Sequence, residues 1–592
     1  QAWLYGENPI PRVASIRPRQ LVSSLCWCML VLWIFLAWLP ANGQDSCTEP
    51  EPAPSSLQLL QQNLRLGRGS VNSILADSQS PTSLAGLKKL LDGCSGWDCL
   101  KQYVDRPDAA YSWRDSHMRL QGSVGGAEWT AALLQMTSQT WLPDEVSPSS
   151  WNHSLVVISP KNVSQTGWCF LYVAMGFYGS SGADKAVDAS NPDVQAAAEI
   201  AVSVGIPAAV LFNVPAELLT FKSSASQGPL VEDGMLSHSW ALFGRQPFGL
   251  GPWRPDPRLL LELPMTKAVV RAMDSIGDFA DYGSVPGISG KLQFAVLGTS
   301  KRGHLCWHAA SVDARVKAIV PIAKALNMQG FLNLSQSELG GLPQAAKDYA
   351  QAGVLEHLED TPQGRWFINI TDAYAYRERF AGLPKLVINA ANDEFFVPDH
   401  TRVWWPALPD PKWHLMIPNS GHIGGGQQVR RLAEPISAFL SGLVHSEDSK
   451  DASKVPQLAW NIQKTGALTA KLDKTSPAPS EVVFWQATTC DSQRRDFRLH
   501  NADRGETCRK CGYEGWYGCV NEAVTWNSST LQEREHRSFV WEASVSAPAD
   551  GRWTAFFLTF HWPTGLRLST EVSVVPVTFP FPNCPQSCVH TV

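Results

Sequence analysis

From about Tyr103 to Leu443, short apolar runs alternate with stretches whose apolar residues recur every three to four positions. That alternation predicts strands and helices in turn, which is an α/β domain with a mostly parallel sheet and helices on both faces. The expected strands are Leu155 to Ile158, Cys169 to Met175, Ala208 to Phe212, Gln293 to Leu297, Val316 to Ile322, Leu386 to Ala390 and His414 to Ile417. Val269, Ala272, Met273, Ile276 and Phe279 share one stripe of a helix expected over Thr266 to Phe279. His445 to Pro479 is rich in Ser, Lys, Asp and Pro and breaks the pattern, so it reads as a linker. Beyond it, Val482 to Trp485, Phe539 to Val545, Trp553 to Phe560 and Leu568 to Val575 cluster β-branched and aromatic residues between turns, as in an immunoglobulin-like all-β sandwich. The expected organisation is an export segment over 1–43, an extension over 44–102 with a helix near Leu57 to Leu66, an α/β domain over 103–445, a linker over 446–480 and a β module over 481–592.

At the N-terminal side, Arg12, Arg17 and Arg19 precede an uncharged, mostly apolar run from Leu21 to Leu39. Ala41-Asn42-Gly43 then places small residues at the −3 and −1 positions before Gln44, so a secretory signal cleaved there is expected. The alternative is a single-pass anchor with the rest of the chain lumenal or extracellular, because ~20 apolar residues span a bilayer. A membrane role is expected only if that run stays uncleaved. Sequons at Asn152, Asn162, Asn333, Asn369 and Asn527 suit an exported glycoprotein. Thirteen cysteines, less Cys26 and Cys28 in the signal, leave an odd eleven. In an oxidising compartment the natural pairs are Cys94 with Cys99, Cys584 with Cys588, and pairs within Cys490, Cys508, Cys511 and Cys519. The last four also resemble a four-thiolate zinc site, but their outer spacing is irregular, so disulfides are expected and neither metal nor cofactor is.

Composition narrows the function classes. With 592 residues, 44% apolar and 17% charged, the chain has the mixture of a folded protein with more than one unit. Lys plus Arg number 49 against 54 Asp plus Glu, a net charge of −5, which provides no surplus to neutralise a phosphate backbone. Nucleic acid is not an expected partner.

The candidate chemistry sits at three strand ends. The apolar strand Leu292 to Leu297 runs into Gly298-Thr299-Ser300-Lys301-Arg302-Gly303 and a helix over His304 to Ala310, the context of a nucleophile elbow. A serine hydroxyl is a weak nucleophile and needs a base, itself oriented by a carboxylate. Leu386 to Ala390 leads into Asn392-Asp393-Glu394, and His414 to Ile417 leads into Pro418-Asn419-Ser420-Gly421-His422. Ser300, Asp393 and His422 then follow the Ser, acid, His chain order of α/β-hydrolases. Glu394 and Asp399 are rival acids, ranked below Asp393 as solvated loop charges. Oxyanion donors are expected from the Lys301 amide and from Gly176 and Phe177 in the loop after the second expected strand; the Lys301 side chain is expected to be exposed, adding charge only if it turns inward. His304 and His308 lie one helical turn apart but read as packing residues, and Gly424-Gly425-Gly426 lacks a nucleotide-binding context.

Ser300-Lys301-Arg302-Gly303 with Val312 to Pro321, Met136 to Trp141, Leu263 to Ala268, Tyr376 to Phe380 and Ile388 to Phe396 resembles the PhoPQ-activated pathogenicity-related protein family. Trp553 to Phe557 and Thr570 to Pro576 extend the resemblance into the β module. It implies an α/β-hydrolase-like fold and an exported protein, and the family pattern itself carries the glycine three places after the serine. Glucuronoyl esterases look similar in that one respect. Asn392 stands where a glycine would be expected before Asp393. The expectation is a secreted or cell-surface serine hydrolase acting on an ester or peptide. The competing class is a non-catalytic signalling or adhesion protein whose β module binds a cell-surface receptor or a carbohydrate.

Overall fold

The continuous apolar runs at the centre of the chain become strands buried on both faces, as a sheet sandwiched between helices requires. The computed structural model describes residues 94–584, with breaks at 165–166, 177–186, 247–254, 282–290, 355–360, 446–454, 499, 502–510, 516–517 and 522–523. The export segment and the extension up to residue 93, including its expected helix, lie outside the described residues; residues 94–102 of the extension are described and enter the α/β unit through helix Trp97–Asp105.

Nine strands form the main sheet: β1 (Ser112–Val124), β2 (Ala127–Thr140), β3 (Ser150–Pro160), β4 (Trp168–Val173), β5 (Ala208–Leu211), β6 (Gln293–Thr299), β7 (Val316–Ile322), β8 (Lys385–Ala390) and β9 (Lys412–Ile417). Their spatial order is β1-β2-β3-β5-β4-β6-β7-β8-β9. β1, β2, β3 and β5 pair antiparallel, and from β5 to β9 every pairing is parallel. The β1–β2 hairpin was not among the expected strands, because β1 is an edge strand rich in charged and polar residues and shows no apolar run.

Alternate residues of each central strand face different helices. Cys169, Leu171 and Val173 of β4 join the core formed with helices α1 (Trp97–Asp105), α3 (Glu232–Gly244), α4 (Glu262–Asp281) and α5 (Lys301–Val312). Phe170 and Tyr172 join the opposite core with α2 (Pro192–Val204) and α8 (Ala433–Val444). Helices α6 (Met328–Leu339) and α7 (Pro362–Thr371) lie between β7 and β8 in the chain. Ordinary signals close these helices: Asn191 caps α2 by accepting from Asp193 and Val194 N–H, with Pro192 at the first position and Gly205 in left-handed conformation at the end.

The stretch expected to be a linker carries two strands, β10 (Leu458–Ile462) and β11 (Ala467–Leu472). They pair antiparallel with each other, and β11 with β14 (Val540–Ser544), in a three-stranded sheet. Their residues alternate without the aromatic clustering that marked the later strands. A second antiparallel sheet holds β13 (Asn527–Thr530), β12 (Glu481–Thr488), β15 (Thr554–His561) and β16 (Arg567–Ser569), with β17 (Ser573–Val575) also on β15. At β15 both its faces are buried. Phe556, Leu558 and Phe560 pack with Leu468, Ala470 and Trp541 of the smaller sheet. Ala555 and Phe557 pack towards Ala391 and Met416, at the ends of β8 and β9. The β module and the α/β part therefore form one compact unit.

Cys94 and Cys99 form a disulfide, and Cys490 and Cys584 are also disulfide-bonded. A disulfide at Cys490 takes that sulfur out of any four-thiolate zinc site. The pairing of Cys508, Cys511, Cys519 and Cys588 lies outside what the structure describes. Cys169 and Cys306 are free and buried.

Candidate active site

In a parallel sheet the strands all end at one edge, and the register here aligns those ends. Val173 pairs with Gly298, Thr299 with Ile322, Ile388 with Ile322, and Ala390 with Ile417. Gly176, Ser300, Asp393 and His422 each follow one of these strands, so all four emerge on the same edge.

Ser300 occupies the sharp turn between β6 and α5, at φ 54° and ψ −124°. This backbone region is strained for a residue with a Cβ and costs on the order of 1–3 kcal/mol. The surrounding structure enforces it. The Ser300 amide donates to the Ile322 carbonyl at 2.8 Å. A Cβ on Gly298 would overlap the Arg302 carbonyl, and one on Gly303 would lie 2.8 Å from the Ile322 oxygen. Gly303 thus lets α5 approach β7, which is why the glycine falls three places after the serine. Among the described residues the half-buried Ser300 hydroxyl makes no hydrogen bond.

His422 Nδ1 lies 2.9 Å from Asp393 Oδ2 and 3.0 Å from Oδ1. The Asp393 carboxylate is held by the Phe395 and Phe396 amides at 2.7 and 3.1 Å. Burial pushes the His422 pKa down, but the charge and hydrogen bond of Asp393, with Glu394 behind, more than offset it, so the net shift is upward. Phe395 and Phe396 flank the imidazole, with ring centroids 4.6 and 6.0 Å from its own. The serine turn and the histidine loop are tied directly, since Thr299 Oγ1 donates to the Gly424 carbonyl at 2.6 Å. The neighbouring Gly426 amide donates to Asp193 Oδ1 at 2.6 Å, and the Tyr172 hydroxyl donates to the same oxygen at 2.7 Å. The Gly424-Gly425-Gly426 run is thus tied by hydrogen bonds to the end of β6 and the start of α2, which supports the histidine loop.

The rival acids are not solvated loop charges. Glu394 is buried, and its Oε2 accepts the His422 amide at 2.6 Å. Burial and then the Asp393 charge raise its pKa. A Cβ on Gly421 would run into this carboxylate, so the glycine makes room for it. Asp399 lies in a buried ionic group instead: Arg495 bonds Asp399 Oδ2 at 2.6 Å and Glu338 Oε1 at 2.7 Å. Both acids face contacts far away in the chain, which no local pattern reveals.

Lys301 turns inward, but towards acids. Its Nζ is 2.7 Å from Glu232 and 3.2 Å from Asp233 at the start of α3. Arg302 is buried against Glu232 and donates to the Val214 carbonyl at 2.6 Å. As the first residue of α5, Lys301 has an amide with no intrahelical acceptor, available as an oxyanion donor. Gly176 lies just past β4 and is half-buried; Phe177 lies outside the described residues. His304 and His308 are buried with ring centroids 4.3 Å apart, and His308 Nε2 bonds the Thr371 carbonyl at 3.0 Å. They pack the interior face of α5. No group of three metal-ligating side chains occurs among the described residues.

The β module supports both polar loops, which sequence reasoning missed. Asn392, next to Asp393, donates to the Phe497 carbonyl at 2.8 Å. Asn419 in the histidine loop exchanges two bonds with the Trp526 backbone, at 2.9 and 2.8 Å. Asparagine at 392, where glycine was expected, is thereby explained.

Asn152, Asn162, Asn369 and Asn527 are exposed and Asn333 is half-buried. No helix among the described residues is long and apolar enough to cross a membrane.

A relative, autocrine proliferation repressor protein A of Dictyostelium discoideum, is 29% identical over 502 residues, covering 82% of this chain and 92% of the relative. A glucuronoyl esterase from Solibacter usitatus aligns with TM-score 0.36 and 11% identity over 62% of this chain and 94% of its own. Acetyl xylan esterase 1 from Thermoanaerobacterium sp. JW/SL YS485 aligns with TM-score 0.35 and 13% identity over 58% and 94%. The fold assignment rests on the strand order and register rather than on these low scores. Residues 100–498 match the family described as PhoPQ-activated pathogenicity-related protein. With that match covering more than half of its length, this chain belongs to the PhoPQ-activated pathogenicity-related protein family.

Proposed function

We propose that the protein is an exported serine hydrolase of esterase or peptidase type. Ser300 is the nucleophile, His422 the general base and acid, and Asp393 the carboxylate that orients His422. One observation carries the reading. A serine held in a strained strand-to-helix turn shares a sheet edge, and a Thr299–Gly424 bond, with a histidine whose Nδ1 is bound to a buried carboxylate. Asp393 fixes the tautomer that leaves Nε2 free to take the Ser300 proton and stabilises the imidazolium formed. The tetrahedral oxyanion is received by the Lys301 and Gly176 amides, with the positive end of α5 behind the first. Lys301's ammonium, neutralised by Glu232 and Asp233, acts mainly by fixing the start of α5 against α3.

Covalent labelling of the purified protein with a fluorophosphonate probe tests this. Ser300 should be labelled, and Ser300→Ala and His422→Ala should each abolish labelling and turnover, the double variant losing little more. Labelling unchanged in His422→Ala would overturn the reading. The secreted product of an expressing cell should also begin at or near Gln44 and carry glycans. The Dictyostelium relative's name favours a second reading, in which this chain restrains proliferation as a secreted signal. Ser300→Ala separates the two, because a purely signalling role survives it.

A further inference from the structure

The cations beside Ser300 differ in how they are neutralised. Lys301 and Arg302 are matched by Glu232 and Asp233. Lys324, two residues beyond β7, makes no hydrogen bond or ion pair among the described residues. Its placement is built into the sheet edge. Ile322 accepts the Ser300 amide, and the Ala323 amide donates to the Ile388 carbonyl at 2.8 Å. Ala323 is fully buried at φ 50°, a left-handed conformation that costs an alanine about 1–2 kcal/mol. That turn starts the half-buried Lys324 side chain from the same edge as the serine. The Lys324 Nζ lies 5.8 Å from the centre of the Phe396 ring, and the same ring lies 6.0 Å from the His422 imidazole.

The carboxylates whose charge reaches Lys324 are Asp372, Glu262 and Asp233. None of them pairs with it. Asp372 accepts the Met328 and Tyr374 amides at 2.6 and 3.0 Å. Glu262 accepts the Trp240 indole at 2.8 Å through Oε1, while its Oε2 is buried without a hydrogen-bond partner among the described residues and burial raises its pKa to about 7, which weakens it as a counter-charge. Asp233 accepts the Tyr349 hydroxyl at 2.7 Å and pairs with Lys301. Burial holds the Lys324 pKa below the ordinary lysine range, the mark of a charge the protein does not compensate. An unpaired cation in such surroundings is costly unless a ligand brings the counter-charge.

We propose that Lys324 binds a carboxylate of the substrate, so that this hydrolase prefers esters carrying a free carboxylate over the corresponding neutral esters. This rests on the hydrolase reading and deepens it. The Phe396 ring, which neighbours both Lys324 and His422, is the apolar wall against which the part of the substrate between the carboxylate and the ester lies.

The test compares 4-nitrophenyl hydrogen glutarate with its methyl ester on the whole protein. The parent should favour the acid by about tenfold or more in kcat/KM, mostly through KM, as expected for one charge-assisted contact. Lys324→Met should bring the ratio near one, and Lys324→Arg should retain most of it. A parent ratio near one, or a ratio unchanged in Lys324→Met, overturns the proposal. If neither ester is turned over and the fluorophosphonate fails to label Ser300, the hydrolase reading falls. Lys324 is then judged by melting temperature in the presence of glutarate. A rise in the parent that Lys324→Met loses upholds anion binding at this site, and no rise, or an equal rise in both, rejects it.

Discussion

Replacing Gly303 by alanine probes the feature that most distinguishes this serine turn. In an ordinary helix the change stabilises by about 0.5–1 kcal/mol, because alanine has less backbone freedom to lose. At Gly303 the added carbon would lie 2.8 Å from the Ile322 oxygen, 3.2 Å from the Gly298 oxygen and 3.3 Å from the Ile322 nitrogen. All three are backbone atoms of β6 and β7, so no side chain can swing aside. Ordinary contact begins at about 3.4 Å, and the start of α5 must therefore retreat by about 0.6 Å. Overpacking of this kind costs ~1–3 kcal/mol, and after the helix gain a net loss of about 0–2.5 kcal/mol remains. The same retreat lengthens the bond from the Ser300 amide to Ile322 and moves the hydroxyl relative to His422. As 1 Å of misplacement can cost on the order of 100-fold, a loss of on the order of tenfold is expected. The assay is urea unfolding together with the rate of fluorophosphonate labelling. Gly277→Ala in α4 is the control, since a Cβ there meets nothing within 4 Å. It should stabilise slightly and label at the parent rate. If Gly303→Ala were as stable and as reactive as Gly277→Ala, the close approach of α5 to β7 would not be what requires this glycine.

Three further outcomes are expected. His422 must be neutral to accept a proton and its pKa is raised, so labelling should rise with pH with a midpoint above the ordinary 6.5. Asp393→Asn should lower that midpoint as well as the rate, and a parent midpoint at or below 6.5 would contradict the assignment. The same upward shift contributes stability below pH 6.5 that is lost as pH rises through the folded-state value. Asn419→Ala leaves the buried Trp526 amide and carbonyl unpaired and places alanine at φ 52°, for about 2–4 kcal/mol in urea unfolding. Asn419→Gly should recover only the backbone part, and labelling should slow in both if the β module steadies the histidine loop. Arg495→Ala should cost about 3–5 kcal/mol by stranding Glu338 and leaving Asp399 only the 3.4 Å pair with Arg402, and a loss under 1 kcal/mol in urea unfolding would show that this group is not a lock between helix α6 and the β module.

What the sequence determined by itself is the part governed by short-range pattern. Parallel strands buried on both faces need unbroken apolar runs, so β4 to β9 stand out in the chain, and a period near 3.6 marks α4. The polar residues directly after those strands were legible for the same reason, since parallel strands end together. The edge strand β1 and the strands β10 and β11 were not, because half-exposed strands need no apolar run; β2 was missed although Ala131 to Leu134 is a buried apolar run. Tertiary structure alone decided that Glu394 carries the His422 amide, that Asn392 and Asn419 hold the β module, and that Lys301 is neutralised while Lys324 is not. Each of these depends on which buried donor, acceptor or charge finds a partner across tens to hundreds of residues. That matching is a property of packed surfaces, and a local stretch of chain carries no record of it.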